Sequence, residues 1–372
     1  MLNENKKTVL TVFGTRPEAI KMAPLVKAIE NSDKLKSVVC VTAQHRQMLD
    51  QVLDLFDIKP DFDLDIMKNN QDLWSLTSEV LLKMKDVFEQ VKPDVVLVHG
   101  DTTTTMATAL SAFYAKVPVG HVEAGLRTFD KLYPFPEEIN RVIADGISDY
   151  FFAPTDMSVD NLSKCNTPQT HIYKTGNTVI DALLYTINSN DEILPDGLKL
   201  DNSKKMILLT SHRRENFGEP IREICKSILE LIDRNPDIEV VYPVHLNPNV
   251  QKPVNELLGN KERIHLIAPQ DYVPFCNLMK KSYLILTDSG GVQEEAPALG
   301  KPVLVLRDTT ERPEAVEYGT VKLVGHDKNK IISEVEKLLN DENYYKSMSE
   351  AINPYGDGKA CPRIVEILEK VL

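Results

Sequence analysis

The chain has 372 residues, of which 42% are hydrophobic and 26% are charged, and its formal net charge at pH 7 is −12. This length favours about two domains of roughly 150 residues, each able to bury a sizeable core. The acidic balance argues against a nucleic-acid partner or an anionic membrane surface, because both select a basic footprint.

Apolar runs alternate with amphipathic segments along the whole chain. The first run, residues 8–13, is typical of a buried parallel strand, and a helix follows it at Pro17. In the first half the pattern predicts strands at 8–13, 37–42, 94–98, 117–122 and 150–153, and further helices at 45–56, 75–90 and 103–114. In the second half it predicts strands at 206–210, 238–242, 263–267, 284–287, 302–306 and 320–324, separated by helices at 220–233, 249–258, 272–281 and 292–299. Such alternation predicts an α/β protein with a parallel sheet in each half.

The boundary between the two doubly wound halves is expected within residues 174–204, which include a loop-like stretch. The last predicted helix, residues 359–372, follows a turn rich in glycine and proline. This turn would allow the helix to cross back to the first half.

Polar residues follow many of the predicted strands. They are Arg16, Gln44, His45, His99, Asp101 and Glu123 in the first half, and His212, Arg213, Arg214, His245 and Ser289 to Gly291 in the second. Ligands of open α/β sheets bind outside the carboxyl ends of the strands, so this placement indicates a site. Structural roles are the alternative: Asp101 could cap a helix, and Glu137 could pair with Arg141 four residues on.

The turn Ser289-Gly290-Gly291 joins a short apolar strand to a helix. Adjacent glycines and the unpaired N–H groups of a helix start are suited to a phosphate, although an ordinary strand-to-helix turn would have the same sequence. One helical turn later, Glu294 or Glu295 could accept ribose hydroxyls.

Several classes of site are missing their sequence signatures. The chain lacks G-x-G-x-x-G after its first strand, a P-loop, H-E-x-x-H and G-x-S-x-G, so no NAD, no other cofactor and no metal is expected. Five widely spaced cysteines without a C-x-x-C pair predict neither a disulfide framework nor a zinc site. A polar first segment and the absence of a membrane-length apolar run predict a cytoplasmic protein with no membrane association.

Six motifs in order along the chain carry a family resemblance. They are Gly14-Thr-Arg-Pro-Glu-Ala-Ile-Lys-Met-Ala-Pro-Leu, His99-Gly-Asp-Thr-Thr-Thr-Thr, Gly120-His-Val-Glu-Ala-Gly-Leu-Arg-Thr, Pro134-Phe-Pro-Glu-Glu-Ile-Asn-Arg, Thr175-Gly-Asn-Thr-Val-Ile-Asp-Ala and Thr287-Asp-Ser-Gly-Gly-Val-Gln-Glu-Glu-Ala. Together they resemble the non-hydrolysing UDP-N-acetylglucosamine 2-epimerases from about Val9 to Cys361. The resemblance implies a B-type glycosyltransferase-like fold, with two Rossmann-like doubly wound domains facing a central cleft.

The resemblance also implies domain limits and a reaction. Residues 1–174 would form the domain with the acid/base groups, residues 175–355 the UDP-binding domain, and residues 356–372 a helix that packs back on the first domain. The family interconverts UDP-N-acetylglucosamine and UDP-N-acetylmannosamine by eliminating UDP to give 2-acetamidoglucal and adding it back. The product would supply cell-envelope polysaccharide.

The site residues implied by the resemblance fall into three groups. The acid/base carboxylates would be Asp101, Glu123 and Glu137, and Lys21, Arg141 and His212 would assist them. Further UDP contacts would come from Arg16, Gln270, Phe275, Ser289, Gly290, Gly291, Glu295 and Arg312, with Phe275 against uracil and Glu295 on the ribose. A second UDP-N-acetylglucosamine would act as allosteric activator near Gln44, His45 and Gln47. The family's habit also implies a homodimer.

The chain departs from the family pattern at two places. Phe129 and Tyr133 stand where the family often has Gly and Ser, and Ser211 stands where a smaller residue is common. The loop before Glu137 is therefore expected to differ in shape, which affects the allosteric inference more than the reaction. Three other functions stay open: a hydrolysing 2-epimerase that releases N-acetylmannosamine and UDP, a B-type glycosyltransferase and a non-catalytic nucleotide-sugar sensor.

Overall fold

A computed structural model of the chain describes residues 6–43, 46–66, 71–165, 167–189 and 192–372. Contacts divide the chain into two compact units. The first, here the N-terminal unit, comprises Met1–Ala182 and Tyr355–Leu372, and the second, the C-terminal unit, comprises Leu183–Pro354. Each unit is α/β and built on one parallel sheet, which confirms the predicted fold class.

The sheet of the N-terminal unit has seven strands in the order β3-β2-β1-β4-β5-β6-β7. Their bounds are β1 Lys7–Phe13, β2 Leu35–Val41, β3 Phe62–Asp63, β4 Val95–His99, β5 Val119–Val122, β6 Tyr150–Ala153 and β7 Ile172–Lys174. The strand order reverses between the neighbouring strands β1 and β4: β2 and β3 are added on one side of β1, and β4 to β7 on the other. In open α/β sheets this reversal is where ligands bind.

The helices of this unit cover both faces of the sheet. They are α1 Arg16–Glu30, α2 Arg46–Leu55, α3 Leu73–Val91, α4 Thr103–Ala115, α5 Glu137–Ile147, α6 Asp156–Lys164 and α7 Thr178–Ser189. Along β1, Val9 and Phe13 enter one hydrophobic cluster while Leu10 and Val12 enter another. Successive strand residues point to opposite faces, so a continuous apolar run is needed to fill both cores.

The C-terminal helix belongs to the N-terminal unit. This helix, Ala360–Val371, is α15 in chain order, and it buries Cys361, Ile364 and Leu368 in the cluster that also contains α1. Its first N–H groups are capped by the carboxylate of Asp181, which accepts from Ala360 at 3.1 Å and from Cys361 at 2.9 Å. The chain changes unit at Ala182, within α7, and returns at Tyr355.

The sheet of the C-terminal unit has six strands in the order β10-β9-β8-β11-β12-β13. Its strands are β8 Lys205–Thr210, β9 Ile238–Pro243, β10 Ile264–Ile267, β11 Leu284–Thr287, β12 Val303–Val305 and β13 Val321–Leu323. Its helices are α8 Glu219–Arg234, α9 Pro248–Leu258, α10 Tyr272–Lys281, α11 Gly290–Glu295, α12 Pro313–Glu317, α13 Lys328–Asn340 and α14 Glu342–Ser349. The helix expected over 292–299 is split, because α11 gives way to a 3₁₀ turn that contains Pro297. A proline lacks the N–H that a continuing α-helix needs.

Membrane association was not expected from the sequence. Among the residues that the structure describes, no helix is long and apolar enough to cross a membrane.

Candidate functional site

The turn after β1 brings two cationic residues to the carboxyl edge of the N-terminal sheet. Thr15 caps α1, and the carboxylate of Glu18 accepts the N–H groups of Gly14 at 3.1 Å and Thr15 at 2.8 Å. This reciprocal capping fixes the start of the helix. Arg16 is therefore the first helical residue, and Lys21 lies further along the same helix.

Glu123 follows β5 and lies in a buried polar cluster. Its carboxylate pairs with the ammonium of Lys21, accepts a hydrogen bond from the side-chain amide of Asn177 at 2.9 Å and lies 3.6 Å from Nε2 of His99. Burial alone would raise its pKa, but the nearby charges of Lys21 and His99 hold that pKa well below the ordinary value. Glu123 is therefore a carboxylate at neutral pH.

The backbone of Glu123 is unusual. Its φ angle is +64°, in the left-handed region that a residue with a side chain rarely adopts. Backbone outliers of this kind cluster at functional sites, where the surrounding structure holds them. The conformation turns the chain directly after the strand and is consistent with a functional role for this carboxylate.

Asp101 follows β4 and is held by α5. Its carboxylate pairs with Arg141, and its backbone carbonyl accepts from the side chain of Asn140 at 2.9 Å. The two structural alternatives for these residues are wrong. Thr102, not Asp101, caps α4, and Arg141 pairs with Asp101 and Glu138 rather than with Glu137. The carboxylate of Asp101 therefore belongs to an ion-pair network that starts from α5.

One short loop connects the two carboxylate clusters. Gly100 has a φ angle of +66°, and a Cβ placed on it would lie 3.7 Å from Oε1 of Glu123. Its carbonyl oxygen is 2.7 Å from Nε2 of the buried His121, whose Nδ1 is 2.6 Å from Asp145. Two carboxylates that are paired with a lysine and an arginine can remove and deliver protons.

Glu137 is the third carboxylate that the resemblance implies. It is the first residue of α5 and is half-buried. The same first turn carries Glu138, which is buried and accepts the backbone N–H groups of Thr128 at 3.0 Å and Phe129 at 2.9 Å. Glu138 thus anchors the loop that leads to Glu137.

In the C-terminal unit, the Ser289-Gly290-Gly291 turn follows β11 and has arginines beside it. A Cβ placed on Gly290 would lie 3.9 Å from Nη2 of Arg213 and 3.9 Å from Nη2 of Arg312. The open space at Gly290 therefore faces two guanidinium groups. Planar guanidinium groups bind phosphate oxygens well, so the turn is suited to a diphosphate.

Two glutamates follow the glycine turn, and they have different surroundings. Glu294 is buried and pairs with Nε of Arg312, so it positions that arginine and is not available for a ribose. Glu295 is half-buried, and its Oε1 lies 3.3 Å from a Cβ placed on Gly291. Of the two carboxylates, Glu295 is therefore the one that borders the glycine turn.

Three further residues of the implied nucleotide site lie in the same unit. His212 follows β8, Gln270 follows β10, and Phe275 is a half-buried residue of α10. Burial lowers the pKa of His212, as do the charges of Arg213 and His245, while Asp288 opposes them. The imidazole of His212 is thus neutral at pH 7.

The effector site that the resemblance implies falls on residues whose side chains the structure does not describe. Gln44 and His45 lie outside the described residues, and Gln47 belongs to α2 without a described side chain. Within the described ranges, no three His, Cys, Asp or Glu side chains are grouped so that they could hold a metal ion.

Some residues of these clusters are not among the site residues predicted from the sequence. Asn177 and Asn140 are not predicted, and His99 and Arg213 are candidates only through their place after a strand. Asn177 follows β7, a strand of three partly exposed residues that gives no apolar run. Its placement after a strand would have identified Asn177 if that strand had been recognised.

Comparison with known proteins gives one family. The sequence profile of the family described as UDP-N-acetylglucosamine 2-epimerase matches residues 27–369. The chain is 57% identical over 368 residues to the UDP-N-acetylglucosamine 2-epimerase of Escherichia coli K12, covering 97% of this chain and 98% of that protein.

Two solved structures extend the similarity to the fold. The Neisseria meningitidis UDP-GlcNAc 2-epimerase bound to UDP-GlcNAc matches with a TM-score of 0.85 and 52% identity, over 98% of this chain and 100% of the other. The Methanocaldococcus jannaschii enzyme in complex with UDP-GlcNAc and UDP matches with a TM-score of 0.75 and 36% identity, over 98% and 99%.

Proposed function

The chain belongs to the UDP-N-acetylglucosamine 2-epimerase family, and we propose that it is a non-hydrolysing member that interconverts UDP-N-acetylglucosamine and UDP-N-acetylmannosamine by elimination and re-addition of UDP. The similarity of its sequence and fold to the family supports the epimerase activity. The chemistry of C2 and the polar residues at the strand ends support an elimination, and the resemblance of the six sequence motifs supports the non-hydrolysing course.

The reaction must invert C2, whose proton is not acidic. Loss of that proton to a base, with cleavage of the bond between C1 and the UDP oxygen, forms the C1–C2 double bond of 2-acetamidoglucal. Delivery of a proton to the opposite face of C2, with addition of the UDP oxygen at C1, gives the epimer. The steps balance without an oxidant or a reductant, so the proposed reaction involves no change of redox state.

The observation that carries the proposal is the pair of carboxylates on neighbouring loops of the N-terminal unit. Asp101 and Glu123 follow adjacent strands, and a Cβ placed on Gly100, the residue before Asp101, would lie 3.7 Å from Oε1 of Glu123. We propose Asp101, Glu123 and Glu137 as the acid/base groups, and Lys21 and Arg141 as their charge partners. A general base and a general acid on opposite faces are what an inversion through elimination requires.

The glycine turn of the C-terminal unit would hold the leaving group. We propose that Ser289, Gly290 and Gly291 take the diphosphate together with His212, Arg213 and Arg312, and, from the family resemblance, that Arg16 contributes to UDP binding. Gln270, Phe275 and Glu295 would bind the nucleoside. Positive charge fixed in advance around the diphosphate stabilises it as it departs, and such preorganisation is commonly the largest single contribution to catalysis.

One experiment separates this function from its alternatives: incubation with UDP-N-acetylglucosamine in D₂O, followed by proton NMR. Formation of UDP-N-acetylmannosamine with deuterium at C2 is the expected result. Free N-acetylmannosamine plus UDP would instead indicate a hydrolysing enzyme, and an unchanged substrate would indicate a sensor or a glycosyltransferase without its acceptor. Asp101→Asn tests the site, because it should abolish turnover and leave UDP binding nearly unchanged. A large loss of UDP affinity would contradict an acid/base role for Asp101.

The remaining proposals concern regulation, assembly and setting. A second UDP-N-acetylglucosamine would bind near Gln44, His45 and Gln47 as an activator, and a cytoplasmic enzyme would supply cell-envelope polysaccharide.

For assembly we propose a homodimer. An apolar groove of about 620 Å³ between α3 and α4, bordered by Leu82 and Tyr114, supports it because both side chains are about 70% exposed.

A further inference from the structure

Asp288 lies directly after β11 and is fully buried. One of its carboxylate oxygens, Oδ2, accepts four hydrogen bonds from the turn after β8. The donors are Ser211 Oγ at 2.9 Å, the backbone N–H groups of His212 at 2.8 Å and Arg213 at 2.9 Å, and the side-chain amide of Asn216 at 2.9 Å. A single carboxylate therefore ties the turn that carries His212 to the turn that carries the two glycines.

The other oxygen of Asp288 faces the imidazole of His212. This Oδ1 is buried and, within the part of the chain that the structure describes, receives no hydrogen bond. It lies 3.2 Å from Nδ1 of His212. The contact is not aligned as a hydrogen bond, but the negative charge of Oδ1 at this distance favours the tautomer of neutral His212 that carries its proton on Nδ1. Nε2 then has a lone pair and can take up a proton.

The surroundings of His212 keep its ring neutral before a ligand binds. The charged and titratable groups that face it are Asp288 at the end of β11, Arg213 in its own turn and His245 after β9, whose ring centroid is 5.8 Å away. Burial, Arg213 and His245 outweigh Asp288, so the pKa of His212 is lowered. A bound diphosphate would add negative charge beside the same turn and would act in the opposite direction, by about 1 to 3 pH units for a close charge.

We propose that Asp288 is a positioning residue that prepares His212 to take up a proton when the diphosphate of UDP binds. The proton comes from the buffer and forms an N–H bond at Nε2, and no other bond changes. The imidazolium then adds positive charge next to the leaving group, with Asp288 as its counter-ion. The inference rests on the proposed function for the identity of the ligand.

Calorimetric titration with UDP at pH 7.5, in two buffers of different ionisation enthalpy, measures this uptake. At that pH the terminal phosphate of UDP is already almost fully ionised, so it contributes little. The wild-type protein should take up as much as about 1 proton per UDP, clearly more than Asp288→Asn and His212→Asn, which should both take up close to none. The matched control is Ser211→Ala, which removes one donor to Asp288 without altering either partner, and which should keep the uptake.

UDP binding without proton uptake by the wild-type protein would overturn the proposal. Retained uptake in Asp288→Asn would overturn the role of Asp288. If that variant does not fold, ¹⁵N NMR of histidine-labelled wild-type protein decides, since Nε2 of His212 should change from unprotonated to protonated when UDP is added. Proton uptake without deuterium incorporation at C2 would leave this inference standing and contradict the epimerase, so the two failures are distinguishable.

Discussion

The side-chain amide of Asn177 donates a hydrogen bond to Oε2 of Glu123 at 2.9 Å. Asn177 stands between β7 and α7, while Glu123 follows β5, so the bond joins two segments 54 residues apart in the chain. It leaves the carboxylate of Glu123 shared between a lysine and an amide.

Asn177→Ala should lower kcat by about 10- to 100-fold, because a hydrogen bond to a charged group contributes roughly 1.5 to 3 kcal/mol. Initial rates of epimerisation measure the change, and UDP affinity should stay within about twofold of the wild-type value. Asn235→Ala is the control, since it removes a hydrogen bond that a side-chain amide donates to a backbone carbonyl at the end of α8. Equal losses of kcat in the two variants would show that the bond to Glu123 has no special importance.

Arg141→Lys should reduce kcat by about 10- to 100-fold. One guanidinium group contacts both Asp101 and Glu138, and an ammonium group cannot reproduce that planar geometry. Steady-state kinetics with UDP-N-acetylglucosamine provide the measurement. Arg222→Lys changes an exposed pair with Glu256 and should leave kcat unchanged. An Arg141→Lys enzyme with wild-type kcat would remove Arg141 from the proposed machinery.

Gly290→Ala should weaken UDP binding by more than about tenfold without unfolding the protein. Its Cβ would lie 3.9 Å from the nearest arginine nitrogens, so the methyl group fits the folded chain but occupies the space assigned to the phosphate. Calorimetry with UDP measures the loss. Gly146→Ala in α5 has no heavy atom within 4 Å of its new methyl group and should raise stability slightly without affecting UDP. Unchanged UDP affinity in Gly290→Ala would contradict the phosphate site.

Asp145→Asn should destabilise the N-terminal unit by about 3 kcal/mol at pH 7, because it leaves buried charges without their counter-ion. Burial raises the pKa of Asp145, but the charges of His121 and Arg127 lower it by a larger amount. The pKa in the folded protein therefore lies below the unfolded value. This stabilisation is complete above the unfolded pKa of about 3.9 and is lost as the pH falls through the folded pKa. Thermal unfolding from pH 7 to pH 3 should show the two proteins converging in acid. A constant difference across that range would refute the linkage.

Leu82→Asp should convert the proposed dimer to a monomer. Leu82 is 70% exposed and borders the apolar groove between α3 and α4, so a carboxylate there would be buried by a second copy at a cost of several kcal/mol. Light scattering after size-exclusion chromatography gives the mass. The control is Leu246→Asp, because Leu246 is 66% exposed in the C-terminal unit. A monomeric wild-type protein, or a dimeric Leu82→Asp variant, would contradict this interface.

The sequence by itself determined the architecture. Strands such as Lys7–Phe13 are covered on both faces, so they need continuous apolar residues, and that pattern is visible without coordinates. The strand-end rule also selected Arg16, His99, Asp101 and Glu123 as candidates, because the carboxyl ends of parallel strands meet at one edge. The short strands β3 and β7 are not predicted, since their residues are partly exposed and form no buried apolar run.

Only the tertiary structure decided how the charged groups are paired. Local spacing favoured Glu137 with Arg141, yet Arg141 pairs with Asp101 and Glu138, because the fold brings Asp101 to α5 from another strand end. The partners of Glu123 and Asp288 are likewise far away in the chain. Hydrogen bonds and ion pairs act over a few ångströms in space, whereas a sequence pattern reports only neighbours along the chain. The sequence therefore named the carboxylates, and the folded chain determined which of them are paired and held in position.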